Sequence, residues 1–284
     1  MTIAFASGKG GTGKTSFSVA FALSACGTGK ETVTFLDCDV EEPDSHFFLK
    51  PVNLTEETVT VSVPEVDKNK CTGCGKCAKA CRFNAITMIG EYPLFFHEIC
   101  HSCGGCSIAC PENAINEIQT GTGVISCGEA GRIAFYQGRL DIGNTKSPPL
   151  IRAVRKKAGK EDTLVIIDAP PGTSCPMVTA LKGADYAVLV TEPTPFGFHD
   201  LKLAADTVRE IGIPFGVVIN KADSAFKKTE DYCKEQSIPV LLKVPEARTA
   251  AEGYSIGRPI IDFFPDLPEE INNVIAKIRK EIHQ

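Results

Sequence analysis

The 284-residue chain has no tryptophan and only three methionines, five tyrosines and five histidines. It has no cationic excess: 30 Lys and Arg stand against 35 Asp and Glu, for a formal charge of −5. With no global cationic field to recruit a phosphate backbone, nucleic-acid binding is set aside. No apolar run approaches the ~20 residues that a membrane-spanning helix needs. No apolar leader is visible either: the short run Met1–Ala6 meets Gly8-Lys9-Gly10-Gly11, too early for the hydrophobic region of a signal peptide. These absences predict a cytoplasmic protein without membrane attachment.

Cysteine is the residue in excess. Of 13 cysteines, eight fall between Cys71 and Cys110, while Cys26, Cys38, Cys127, Cys175 and Cys233 are scattered. In a reducing compartment so dense a group reads as metal or cluster ligation, not as a disulfide framework. The remaining composition, 43% hydrophobic and 23% charged, is that of a globular protein.

Thr2–Ala6 reads as a buried strand, followed by a glycine-rich loop and a helix over Lys14–Cys26. Glu31–Leu36 is a second β-rich run, ending in Asp37-Cys38-Asp39. Apolar runs at Leu164–Ile167, Ala187–Val190, Phe215–Ile219 and Val240–Val244 alternate with helical stretches such as Leu201–Ile211 and Ala225–Gln236. Continuous apolar strands alternating with helices predict an α/β fold, a mostly parallel sheet covered by helices on both faces. The segment 63–119 breaks this rhythm with an internal repeat at an offset of 29 residues: Cys71, Cys74, Cys77 and Cys81 map onto Cys100, Cys103, Cys106 and Cys110, and Asn84-Ala85-Ile86 maps onto Asn113-Ala114-Ile115. The expected organisation is therefore an α/β domain over 1–62 and 120–284, with a duplicated α+β unit inserted over 63–119. Thr58–Val63 and Gly123–Ser126 are candidates for the stem of the insertion.

Gly8-Lys9-Gly10-Gly11-Thr12-Gly13-Lys14-Thr15 matches the G-x-x-x-x-G-K-[ST] phosphate loop, after a strand and opening a helix. The glycines let backbone N–H groups curl around phosphate oxygens, and the helix N-terminus adds its positive dipole end. Lys14 is expected to reach the β- and γ-phosphates and the Thr15 hydroxyl to ligate Mg²⁺.

The second lysine, Lys9, makes the loop more specific. Lys9-Gly10-Gly11-Thr12-Gly13-Lys14-Thr15 resembles the deviant Walker A motif of the MinD-like P-loop ATPases, a group that includes cell-division ATPases, Mrp-type cluster carriers and the nitrogenase iron protein. The resemblance implies a P-loop NTPase fold and an ATP-dependent homodimer in which Lys9 reaches the partner's nucleotide. It implies that Leu164-Val165-Ile166-Ile167-Asp168 is the Walker B strand, with Asp168 holding Mg²⁺ through water, and that Ala169-Pro170-Pro171-Gly172 is switch II. Asp37 and Asp39 resemble switch I: Asp39 is the choice for orienting the attacking water and Asp37 for supporting Mg²⁺. Asn220-Lys221-Ala222-Asp223 resembles the adenine-contacting segment, with the Asn220 amide on the base edge and the backbone near Pro245 adding contacts. An N-K-x-D string also occurs in guanine-binding proteins, so ATP and ADP as ligands rest on the resemblance.

Cys71-x₂-Cys74-x₂-Cys77-x₃-Cys81 and Cys100-x₂-Cys103-x₂-Cys106-x₃-Cys110-Pro111 match the spacing of bacterial two-cluster ferredoxins, whose fourth cysteine ligates the other cluster. Cluster I is assigned to Cys71, Cys74, Cys77 and Cys110, and cluster II to Cys100, Cys103, Cys106 and Cys81, both [4Fe–4S]. Zinc sites rarely interlock in this duplicated pattern. His97 and His101 are read as non-ligands. Arg82 stands where Pro111 stands in the second repeat, either as a cation raising the potential of cluster II or as an exposed side chain with no electronic role. The five basic residues from Lys68 to Arg82 are either a docking face for an acidic electron carrier or an ordinary solvated surface.

Cys175 resembles, by its offset from Asp168, a cysteine of the nitrogenase iron protein that ligates a cluster shared between subunits; the second cysteine required is missing from Ile142–Pro149. A transient metal site remains open, and a buried structural thiol is the simpler expectation. The amphipathic stretch Glu269–His283 carries Ile271, Val274, Ile275, Ile278 and Ile282 on one face with no Trp or Phe, which favours packing on the sheet over a membrane surface. Three functions follow from these parts. The first is a nucleotide-dependent ATPase coupled to electron transfer through two clusters. The second is an ATP-dependent assembly protein delivering clusters or metal to a client. The third is a nucleotide-dependent scaffold in which the clusters staple a small insertion.

Overall fold

The structure, a computed structural model, describes residues 1–29, 31–158, 164–222 and 226–282. Its strands in chain order are β1 (Thr2–Ala6), β2 (Val33–Asp37), β3 (Val52–Val66), β4 (Ile86–Ile89), β5 (Tyr92–Phe95), β6 (Ile115–Ala130), β7 (Ile133–Leu140), β8 (Leu164–Asp168), β9 (Tyr186–Thr191), β10 (Phe215–Ala222) and β11 (Val240–Pro245). Nine of them form one sheet in the order β11-β10-β9-β1-β8-β2-β7-β6-β3. From β11 to β7 each strand pairs with its neighbour in parallel. The two-residue turn between β6 and β7 is a connection that only an antiparallel pair can make.

The helices are α1 (Lys14–Gly27), α2 (His46–Leu49), α3 (Lys76–Ala80), α4 (Gly105–Ile108), α5 (Ser147–Arg155), α6 (Cys175–Leu181), α7 (Pro195–Ile211), α8 (Lys228–Glu235), α9 (Arg248–Ser255) and α10 (Leu267–Ile282). Strands β1, β2, β8 and β9 are almost wholly buried, as parallel strands covered on both faces must be. Burying a Phe or Ile side chain contributes about 1.5–3 kcal/mol, and the core holds Phe5, Phe17, Phe21, Phe35, Phe135 and Ile166 without solvent contact. Phe5 and Phe21 meet edge to face at 4.8 Å, which locks α1 onto β1. The C-terminal helix α10 packs its Ile271, Val274, Ile275 and Ile278 face against α1 and β11.

The predicted elements are largely these, with shifted bounds. Helix α7 begins at Pro195, six residues ahead of the expected Leu201, because Thr194 caps it by accepting from Gly197 N–H and proline is pre-set for the first turn. The expected helix start at Ala225, and Asp223 and His283, lie outside the described residues.

The chain divides into two units. The first comprises Met1–Glu56, Ile125–Arg139 and Ile151–Gln284; the second comprises Glu57–Val124 and Leu140–Leu150. The second unit holds the β4–β5 antiparallel hairpin, helices α3 and α4, and a small core of Cys77, Ile86 and Ile115.

Candidate functional site

Parallel register assembles the first site. Phe5 pairs with Asp168, and Asp37 with both Asp168 and Gln137. The carboxylates therefore stand together at the C-terminal ends of β2 and β8, beside the loop that leaves β1. On one side of β1 lie β8 and β2, on the other β9 and β10, the kind of topological switch point at which open α/β sheets bind ligands.

The loop itself can be made only with glycine. Gly13 is left-handed at φ 94°, and a Cβ there would come within 2.4 Å of Asn220 Nδ2. A Cβ on Gly8 would come within 2.2 Å of the Asp200 carbonyl oxygen. Gly10 and Gly11 face open space. This leaves a bare-backbone cradle of the kind phosphate groups require.

Lys14 Nζ bridges Asp168 Oδ1 at 2.9 Å and Asp39 Oδ2 at 3.2 Å, and the Thr15 hydroxyl donates to Asp168 Oδ2 at 2.7 Å. Burial alone would lower the Lys14 pKa, but Asp168 and Asp39 outweigh it and hold the ammonium above its ordinary value. Burial pushes Asp39 up to about 6 against the opposing pull of Lys14. It pushes Asp37 up to about 7, helped by Asp168, and raises Asp168 as well. Three carboxylates around one lysine make a site short of positive charge, the electrostatic setting in which a divalent cation is favourable.

Asp37 is fully buried and held within the chain: it accepts from the Ser45 hydroxyl, from Gln137 Nε2 at 3.0 Å and from Asp39 N–H at 3.1 Å. Ser45 and Gln137 were not anticipated from sequence. The β7 run Ile133–Leu140 that carries Gln137 escaped the strand reading, although its alternation with the glycine turn ahead of it was a usable signal.

Two adjoining cavities continue the site. One, about 290 Å³, is lined by Gly11, Gly13, Ser16, Asn220 and Pro245 among others. The other, about 200 Å³, is lined by Gly10, Lys14, Thr15, Asp39 and Pro171 and shares Gly11, Gly13 and Ser16 with the first. Both fall within the size of small-ligand sites when joined. Asn220 Nδ2 donates to the Thr12 carbonyl at 2.9 Å, and its Oδ1 accepts from Lys221 N–H at 2.9 Å, so this side chain ties β10 to the loop. Lys9 Nζ lies 3.9 Å from Glu192 Oε2, and Lys221 Nζ lies 2.6 Å from the other oxygen of the same carboxylate. Glu192 lies in the short segment that leads from β9 into α7.

The cysteine-rich unit repeats its conformation as well as its residues. Gly75 at φ 69° and Gly104 at φ 70° cap α3 and α4. Asn84 and Asn113 are both left-handed, at φ 53° and φ 49°. Ala85 N–H donates to Cys81 Sγ at 3.4 Å, and Ala114 N–H to Cys110 Sγ at 3.3 Å. Cys71, Cys74, Cys77 and Cys110 line one cavity, and Cys81, Cys100, Cys103 and Cys106 line another. Among the described residues, no three His, Cys, Asp or Glu side chains converge closely enough to hold a single metal ion. A four-iron cubane asks instead for one thiolate per iron around a central void, and this donor set fits it. His97 bonds the Pro64 carbonyl at 2.8 Å and His101 stacks on Phe83 at 3.7 Å.

One expectation changes. Cys175, expected as a buried thiol, is exposed, because it opens α6 on the first turn after the Ala169–Gly172 loop. Arg82 is exposed. No helix among the described residues is long and apolar enough to cross a membrane.

Residues 3–260 match the CobQ/CobB/MinD/ParA nucleotide binding domain. The chain is 35% identical over 224 residues to the uncharacterized protein MJ0578 of Methanocaldococcus jannaschii, covering 78% of each chain. It is 28% identical over 159 residues to an iron-sulfur cluster carrier protein of Aquifex aeolicus, covering 49% of this chain and 43% of that one. Its fold superposes with a TM-score of 0.60, at 19% identity, on the septum site-determining protein MinD complexed with Mg-ADP from Pyrococcus horikoshii, covering 96% of each.

Proposed function

The chain belongs to the CobQ/CobB/MinD/ParA nucleotide-binding family, and from that premise we propose that it hydrolyses ATP as a nucleotide-dependent homodimer and couples this cycle to electron transfer through two [4Fe–4S] clusters. The observation that carries the reading is the duplicated set of four-cysteine cavities in a chain whose other unit is a P-loop site.

In this reading the backbone of Gly8, Gly10, Gly11, Thr12 and Gly13 receives the phosphates, and Lys14 moves from Asp39 and Asp168 onto the β- and γ-oxygens. Thr15 and Asp168 would hold Mg²⁺, with Asp37 supporting them through its bonds to Ser45 and Gln137. Asn220 and Pro245 wall the adenine. Asp39 orients a water for in-line attack on the γ-phosphorus; the bond from that phosphorus to the bridging oxygen of ADP breaks, and the water's proton passes to phosphate. Lys9 leaves Glu192 to meet the partner's nucleotide. When bound, the clusters supply one-electron transfer between a low-potential carrier and an acceptor. Cys71, Cys74, Cys77 and Cys110 would hold one, and Cys100, Cys103, Cys106 and Cys81 the other, in the segment 63–119 acting as a ferredoxin-like insertion.

The test is an anaerobic EPR redox titration with and without MgATP. A nucleotide-dependent shift in either cluster's potential is expected; identical potentials would mean that ATP is used elsewhere. Loss of steady-state ATP turnover in Asp39→Ala checks the water-positioning role.

A second reading, ATP-dependent delivery of clusters or metal to a client protein, is favoured by the exposure of Cys175 and by the resemblance to the Aquifex aeolicus carrier. A Cys175→Ser protein that still passes electrons but no longer matures an apo-client would select it.

A further inference from the structure

The cavity walled by Asn220 and Pro245, assigned above to the base, and the phosphate cavity share a tyrosine. Tyr254 lines both, and its hydroxyl donates to Asp44 Oδ2 at 2.9 Å. Asp44 stands with Asp39 in the wall of the phosphate cavity. Both carboxylates belong to the loop 38–45 that joins β2 to α2, so one side chain touches the base cavity, the phosphate cavity and the loop that carries Asp39.

Helix α9 is shaped for this placement. Ala247, Ala250, Ala251 and Tyr254 have the spacing of one helical face, and all four line the base cavity. The alanines leave room for a flat ligand, and the tyrosine extends past them to Asp44. Close packing fixes the helix from two sides. A Cβ on Gly253 would collide with the Phe263 ring, and one on Gly257 would come within 2.6 Å of the Phe47 carbonyl oxygen. The Tyr254 ring also meets Phe48 at 5.0 Å, so α9 rests on α2, the helix into which the loop leads. Burial and Asp44 push the phenol up to about 12, which keeps it protonated as the donor at neutral pH. The loop's ends are tied by Asp37, which accepts from Asp39 N–H and from the Ser45 hydroxyl. The Asp39 side chain is bonded to Lys14 at 3.2 Å, a bond given up when Lys14 turns to the phosphates.

We propose that Tyr254 is a positioning residue that makes the loop 38–45 answer to the base of the nucleotide. A base lying on the alanine face confines the phenol to the place from which it bonds Asp44. The loop, and Asp39 with it, is then held at the γ-phosphate after Lys14 has left Asp39. A bare polyphosphate fills the phosphate cavity alone and leaves Tyr254 unconfined, so the loop tightens on a nucleotide and not on its phosphates. The inference rests on the ATP-binding reading above.

The experiment compares the full-length protein with Tyr254→Phe, Asp44→Asn and the double variant. Tyr254→Phe keeps the ring against Phe48 and removes only the donor. Hydrogen exchange of 38–45 is followed with saturating Mg²⁺ and either a non-hydrolysable ATP analogue or inorganic triphosphate. In the wild type the analogue is expected to slow exchange there about tenfold more than triphosphate does, the effect of one hydrogen bond to a carboxylate. In all three variants the two ligands are expected to give the same rate. ATP turnover should follow, with kcat lowered about tenfold and KM within about twofold of wild type. The double variant should be no worse than either single one, as expected of two groups that act through one bond. Equal slowing by the two ligands in the wild type, or a difference that persists in Tyr254→Phe, would overturn the role of Tyr254. A wild type that shows the exchange difference but turns over no ATP would remove the catalytic reading and keep the Tyr254 link. One that binds neither ligand would remove both.

Discussion

The nucleotide unit and the cysteine-rich unit solve the problem of a stable interior by different means. The first closes Phe5, Phe17, Phe21, Phe35 and Phe135 away from solvent and then sets its charged site on that floor, with Lys14, Asp39 and Asp168 bonded to one another. Around its cysteines the second buries a small cluster, Cys77, Ile86 and Ile115, while Ile89, Leu94, Ile99 and Ile108 stay exposed. A small unit whose apolar side chains are in part exposed gains from a staple. Its eight cysteines line two cavities, and in the proposed two-cluster reading the clusters supply the interior that apolar side chains do not. In the nucleotide unit the ligand is a visitor; in the other, on the proposed reading, it is a structural member.

The largest effect follows directly. Removing iron with a chelator under reducing conditions is expected to abolish hydrogen-exchange protection and protease resistance across 63–119, while protection of β1, β8 and β9 persists. Binding free energy that assembles a small domain is its folding free energy. Equal protection of 63–119 with and without iron would show that the small core suffices, and would erase the distinction between the units.

Within the nucleotide unit the sharpest disruption is Lys14→Met. It leaves Asp39 and Asp168 facing each other without the ammonium that bridges them. Breaking a buried pair from one side costs about 3–5 kcal/mol. A denaturant titration without nucleotide should show a loss of that size, and calorimetry should show nucleotide affinity reduced by at least about a hundredfold, the equivalent of about 2.8 kcal/mol. A neutral effect on stability would mean that these carboxylates take up protons at no cost.

Burial explains which parts of the molecule could be read in advance. Strands β1, β8 and β9 were legible because wholly buried strands are continuous apolar runs. The phosphate loop and the two cysteine runs were legible because their chemistry fixes their spacing. Strand β3 was anticipated only from Thr58, six residues past its start at Val52, because the segment Val52–Glu57 is exposed and mostly polar. Gln137, Ser45 and Glu192 were not legible at all. Each owes its role to a partner distant in sequence: Asp37 for the first two, Lys9 and Lys221 for the third. A single polar residue carries no periodic signal of such a partner.

The raised carboxylates predict how the nucleotide unit answers pH. Asp39 and Asp37 rise from an ordinary 3.8 to about 6 and about 7 in the folded state. The folded protein therefore binds more protons than the unfolded chain between about pH 4 and pH 7, and this contribution to stability is lost as pH rises through that window. Asp39→Asn removes one titrating group. Its stability relative to wild type, measured by denaturant midpoints without Mg²⁺, should grow with pH by the order of 2 kcal/mol up to neutrality. Saturating MgATP should flatten the difference in nucleotide-binding protein. A gap that narrows with rising pH would show that Lys14, and not burial, governs Asp39.

The smallest effect concerns the link between the loop and its neighbour strand. Glu192 holds Lys9 at 3.9 Å and Lys221 at 2.6 Å, and the Lys9 side chain is one-third exposed, so the Lys9 pair is worth at most about 1 kcal/mol. That is little for folding, yet it opposes any interaction Lys9 makes outside its own chain, and a charge that must leave one carboxylate shifts a dimerisation equilibrium by the whole of that difference. Glu192→Gln is therefore expected to leave the thermal midpoint within about 2 °C of wild type, and to tighten ATP-dependent self-association by up to about thirtyfold, since each of the two protomers releases one pair and about 2 kcal/mol corresponds to that factor. Sedimentation velocity across a concentration series with a non-hydrolysable ATP analogue gives the comparison. Weaker association would assign Glu192 to the dimer contact itself; an unchanged constant would mean that Lys9 leaves its carboxylate at no net cost.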